Sequence, residues 1–117
     1  MHNYKNLKIW HEAMDLVTEV YSLTKKFPEQ ERYGLTSQLQ RAAVSIPSNI
    51  AEGTSRVSQK EFKHFLSISL GSSYEVGTQI ELAKRFSIID QQKAEEILTE
   101  LDQVEKMIIG FMKSLHI

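Results

Sequence analysis

The sequence predicts an all-α fold: one domain spanning residues 1–117, built as an antiparallel, up-down-up-down four-helix bundle. Three observations predict it. Apolar residues recur at alternating three and four spacing in four separate segments, no segment alternates with the period of a strand, and the links are short. Short links favour antiparallel neighbours.

From Leu7 to Phe27, Trp10, Ala13, Val17, Val20, Thr24 and Phe27 form the seam of the first predicted helix. Ile9, Leu16 and Leu23 make a second row beside it, and Met14 with Tyr21 a third. A helix in a monomeric bundle needs an apolar arc of only about 100°. The extra width predicts that this helix covers more than one neighbour; oligomerisation is one reading, and on it Ile9, Trp10, Leu16 and Leu23 form the oligomer interface. Pro28 ends this helix, because the residue before a proline is disfavoured in helical geometry. PEQERYG then holds a short helical turn before Gly34.

The second helix, Leu35 to Ser55, centres on RAAVSIPSNIAEG. Leu35, Leu39, Ala42, Ala43, Ile46 and Ile50 make its apolar face. Pro47 sits inside it, lacking a donor and crowding the carbonyl of Ala43, so a kink is expected there. Ser58 and Glu61 have the form of a capping box, which starts the third helix just after Ser58. Its seam is Phe62, Leu66, Ser69, Ser73, Val76, Ile80 and Ala83. Bulky ends and a small-residue waist suit close approach by the helix holding Pro47. Asp90 is an N-cap for the fourth helix, whose seam is Ala94, Ile97, Leu101, Val104, Ile108, Phe111 and Leu115.

A hydrophobic fraction of 41% and a charged fraction of 25% belong to a globular chain, not a disordered or membrane-spanning one. Lys and Arg total 14 against 15 Asp and Glu, so any attraction to nucleic acid must come from a local patch. With no cysteine, there is no disulfide framework or thiolate metal site. No signal peptide or membrane span is evident, which makes cytoplasmic location the expectation.

Together, the Trp of the first helix, FPEQERYGLTSQLQRAAVSIPSNIAEG and SQKEFKHFLSISLGSSYEV resemble a bacterial family of four-helix bundles. That family is encoded in intervening sequences of 23S rRNA genes and labelled ribosomal-protein-like. The resemblance covers nearly all of the chain. It implies a ring-like homopentamer, an association with 23S rRNA, and no established activity. More distantly, the chain is similar to the accessory variability protein of diversity-generating retroelements, a pentamer that binds a reverse transcriptase and nucleic acid. That relative is basic, whereas this chain is near neutral.

Gln38, Arg41, Ser45, Asn49 and Glu52 form a polar stripe on the second helix, facing Glu75 on the third. A structural network is the first reading, with Arg41 paired to Glu75 or Glu52 and Asn49 capping a carbonyl freed at Pro47. A ligand or partner groove at the kink is the functional alternative. Lys25, Lys26, Lys84 and Arg85 fall at helix C-termini, where the macrodipole favours positive charge. Arg56, Lys60, Lys63 and His64 instead surround a helix N-terminus, with Lys5, Lys8 and Lys113 at the same end. This rim is the candidate nucleic-acid-binding site, set against ordinary solvated lysines because the chain carries no recognised nucleic-acid motif.

His2, His11, His64 and His116 collect at that end without the spacing of a helical zinc site, so no metal or other cofactor is expected. No constellation of nucleophile and base points to catalysis. The expected task is that of a non-enzymatic interaction module. Its partners are other copies of itself together with rRNA or another nucleic acid, or alternatively a protein that uses it as a scaffold.

Overall fold

A computed structural model describes residues 2–115. Four helices follow one another: α1 (Lys8–Thr24), α2 (Leu35–Thr54), α3 (Gln59–Arg85) and α4 (Gln91–Ser114). Short 3-10 turns at Tyr4–Asn6 and Glu29–Glu31 precede α1 and α2 respectively, and no strand occurs among the described residues. The helices pack as a closed ring of neighbours, α1 on α2, α2 on α3, α3 on α4 and α4 on α1, with α2 and α3 in the most extensive contact. The molecule measures 44 × 24 × 20 Å. Its length is set by the 27 residues of α3, about 40 Å at 1.5 Å per residue.

Helix ends follow local chemistry. α1 stops at Thr24, short of the expected Phe27. Ahead of Pro28 its ladder tightens, with the Lys26 and Phe27 amides donating to Leu23 and Thr24 at 3.1 and 3.0 Å. Ser58 caps α3 by accepting from the Glu61 amide at 3.1 Å, and Asp90 caps α4 by accepting from Lys93 at 2.8 Å. Between α3 and α4, Ser87 has φ 59°, while the Ile88 amide donates to Ala83 at 2.9 Å and the Ser87 amide to Lys84 at 3.0 Å. That is a Schellman ending.

The core contains the expected seams of α2 and α3 in full, and that of α4 from Ala94 through Ile108, with Leu115. Phe111 packs against it half-buried. The small waist of α3 admits α2: the buried Ser69 hydroxyl donates to the carbonyl of Ile46 at 2.8 Å, one residue before the buried Pro47. Near the α2–α3 turn, a Cβ added to Gly53 would lie 2.7 Å from Phe62. Only glycine lets the two backbones approach this closely.

For α1 the expectation is corrected. Ile9, Leu16 and Leu23 are 5%, 0% and 4% exposed, so they are spent inside the single-chain core rather than on an oligomer interface. Lying between α2 and α4, α1 turns both the Ala13–Val20 row and the Ile9–Leu16–Leu23 row inward. The apolar residues left outside lie on another flank: Met14 and Tyr21 are exposed, and Trp10 and Val17 are half-buried. Of the four proposed interface residues, Trp10 alone retains accessible surface beyond the core.

Candidate nucleic-acid interface

One end of the bundle gathers the chain's N-terminal segment, the end of α2, the start of α3 and the end of α4. An aromatic cluster pins these together: the His2 ring lies 5.1 Å from Phe62 and 5.8 Å from Phe111, and the two phenylalanines are 5.4 Å apart. The His11 Nε2 donates to the carbonyl of Lys5 at 2.7 Å, fixing the turn that leads into α1. Rim lysines thus stand on a fixed scaffold.

The four proposed rim residues do not behave alike. Arg56 is held by the protein itself, with its Nη2 2.9 Å from Glu52 and its guanidinium 4.6 Å from the centre of the Phe65 ring. Its Nε is buried without a partner. His64 is exposed with its ring edge on Phe65 at 5.7 Å. Lys60 is exposed and Lys63 half-buried, and among the described residues neither forms an ion pair. Both occupy the first turns of α3, where the unpaired amides carry partial positive charge. Glu61 is the only acidic residue in that first turn. Of the other lysines expected at this end, Lys5 lies over the Tyr4 ring at 5.9 Å. His116 lies outside the described residues.

The polar stripe between α2 and α3 separates into two parts. In the first, Ser45 and Ser72 share a hydrogen bond of 2.8 Å, and the Asn49 amide donates to the carbonyl and hydroxyl of Ser45, both at 2.9 Å. Asn49 therefore caps the carbonyl one turn behind itself, not that of Ala43, which Pro47 deprives of a donor. In the second, Gln38, Arg41 and Glu75 line a groove of about 330 Å³ with Gln79, whose Oε1 is buried and unpartnered. The expected Arg41 pairing with Glu75 or Glu52 does not form among the described residues, since Glu52 is taken by Arg56 one turn later.

Sequence reasoning missed a third cluster. Between α1 and α4, Glu19 and Glu100 both line a groove of about 540 Å³, floored by Leu23, Ile88, Ile89 and Ile97. Glu100 is pushed up to about 8, first by burial, then by the Glu19 contact and the negative charges of Glu19, Asp15 and Glu12. Glu12, Asp15 and Glu19 follow one another at spacings of three and four along α1. Only the facing position of Glu100 makes them a cluster. Across α3 and α4, burial also raises Glu105, partly opposed by the Ser73 hydroxyl donating at 3.0 Å.

Among the described residues, no three or more His, Asp or Glu side chains converge as a metal site, and no helix is long and apolar enough to cross a membrane. The chain is similar in structure to a protein of unknown function from the S23 ribosomal protein family of Bacteroides thetaiotaomicron. The TM-score is 0.84 at 24% identity, covering 91% of this chain and 99% of that one, a likeness that speaks for the fold. A search of curated proteins finds no match. A family model described as 23S rRNA-intervening sequence protein matches residues 5–110, and the chain belongs to that family.

Proposed function

We propose that this protein is a non-enzymatic, homo-oligomeric, cytoplasmic module that associates with RNA, using the rim where α3 begins. One observation carries the reading: Lys60 and Lys63 stand without acidic partners at a helix N-terminus, where the macrodipole disfavours cations. A phosphate bound there would offset the charge of both lysines and the positive end of the helix macrodipole. The family's printed description, which refers to 23S rRNA, supports RNA as the source of that phosphate.

We read the bundle as antiparallel throughout, with a bend at Pro47. Opposed pairings support the course: Thr24 meets Gln40, Ser69 meets Ile46 while Ser72 meets Ser45, and Ser73 meets Glu105 while Lys84 meets Glu95. Homo-oligomerisation is supported by the half-exposed flank of α1, and its pentameric form rests on the family resemblance.

The test is binding to a 23S rRNA fragment by mobility shift across a salt series. Lys60→Glu with Lys63→Glu is expected to weaken binding more than tenfold near 100 mM salt and to reduce the salt slope by roughly two. Wild-type binding that the double variant leaves unchanged would overturn the rim. A second reading, a protein-binding scaffold, is favoured by the exposed Ile68 and Leu82 on α3 and Phe86 just past its end. Wild-type protein that binds no RNA at low salt would favour it.

A further inference from the structure

Along the side of α3 that borders α2, Glu75, Gln79, Leu82 and Phe86 follow one another at spacings of four, three and four, and so share one stripe. Each is left without its complement. Glu75 and Arg41 line the same groove, yet neither forms an ion pair among the described residues. The Gln79 Oε1 is buried with no donor. Leu82 is 37% exposed, and Phe86, just past the end of α3, is 62% exposed. An acceptor kept from water without a donor is unfavourable, so the stripe is incomplete within one chain.

The same chain carries a second stripe that fits the first. On the outer flank of α1, Met14 and Tyr21 are exposed, and Lys25, in helical geometry just past the end of α1, is exposed without an ion pair among the described residues. Tyr21 does not line the groove of its own chain. It stands in a separate hollow with Gln40 and Val44. Counted from Tyr21, Lys25 lies four residues onward and Met14 seven back; counted from Gln79, Glu75 lies four back and Phe86 seven onward. Two antiparallel helices therefore match in register over roughly 16 Å, cation against carboxylate, hydroxyl against amide and methionine against phenylalanine.

We propose that α1 of a second copy of this chain docks along the α2–α3 groove, antiparallel to α3, with that copy's Tyr21 set against Gln79, its Lys25 against Glu75 and its Met14 against Phe86. The inference rests on the homo-oligomeric reading above and names the surface that the flank of α1 meets. Complementarity selects a second copy as the occupant. The outer flank of α1 supplies a cation, a hydroxyl donor and an apolar side chain in the order in which the α3 stripe lacks them. Reaching Tyr21 takes a rotation of the Gln79 side chain toward the groove, which breaks no hydrogen bond because Gln79 makes none among the described residues. A tyrosine buried in this way gains both the apolar contact of its ring and a partner for its hydroxyl.

Sedimentation equilibrium of the full chain over a concentration series tests the docking with a charge swap, circular dichroism checking that each variant stays helical. Lys25→Glu and Glu75→Lys are each expected to weaken association about tenfold by placing like charges together, and the two combined to recover wild-type association within about threefold. Tyr21→Phe is expected to weaken association in the wild-type background and to change nothing in a Gln79→Leu background, where the acceptor is gone. Wild-type assembly that the single charge reversals leave unchanged, or losses that add in the combined variant instead of cancelling, would overturn the docking and leave the homo-oligomer standing. A wild-type chain that stays monomeric across the series would remove the homo-oligomeric reading and the docking with it.

Discussion

At Ser87 the backbone demands what a serine side chain resists. The φ of 59° places an L-residue in the left-handed region, where Cβ crowds the following carbonyl, because the Schellman ending of α3 needs that conformation at this position. Ser87→Gly is expected to stabilise the protein by about 0.5–1 kcal/mol, the relief of that strain less the added freedom of the unfolded chain. A denaturant midpoint that does not rise would count against the account. The link Ser87-Ile88-Ile89 was legible in the sequence, but its left-handed residue was not, since glycine is the usual signal and is absent. Asn49 shows a similar limit. Its position as a capping amide was readable, whereas the choice of Ser45 over Ala43 as acceptor depends on which carbonyl lies within reach.

Among the elements, α1 best separates pattern from placement. Its three apolar rows were visible as spacing, yet spacing does not say which row points at the neighbours. The rows through Ile9, Ala13, Leu16 and Val20 won because α1 is held on two sides, leaving Trp10, Met14, Val17 and Tyr21 as the outer flank. If that flank buries against another copy, Met14→Glu with Tyr21→Glu is expected to reduce assembly to monomer in light scattering. A charge in such an interface costs far more than on an open surface. Retained assembly would remove this flank from the interface. Helicity should persist, since both side chains are exposed in the single chain: Met14 is 42% and Tyr21 40% accessible.

For the whole molecule, the near-neutral total conceals a separation of charge. Partnerless lysines stand at the rim, while carboxylates face one another along the α1–α4 seam. Glu100 and Glu105 are both raised on folding, and a carboxyl so raised contributes stability that is complete below its unfolded value and lost as pH rises through its folded one. The melting temperature is therefore expected to be higher at pH 5.5 than at pH 8, by on the order of 5 °C. Glu100→Gln with Glu105→Gln should flatten the trend in differential scanning fluorimetry. A wild-type melting temperature that rises toward pH 8 would contradict it.

The sequence by itself determined the number of helices, their approximate bounds, the seams of α2 and α3 and most of that of α4, because apolar periodicity, caps and proline act locally along the chain. The rim lysines were legible for the same reason, as charges placed at a helix start. Tertiary structure alone decided the orientation of α1, the ties that take Arg56 out of the free cations, and the meeting of Glu19 with Glu100. Each of these depends on the rotation of one helix about its axis relative to another, and that angle is set by packing across the core, which no single helix encodes.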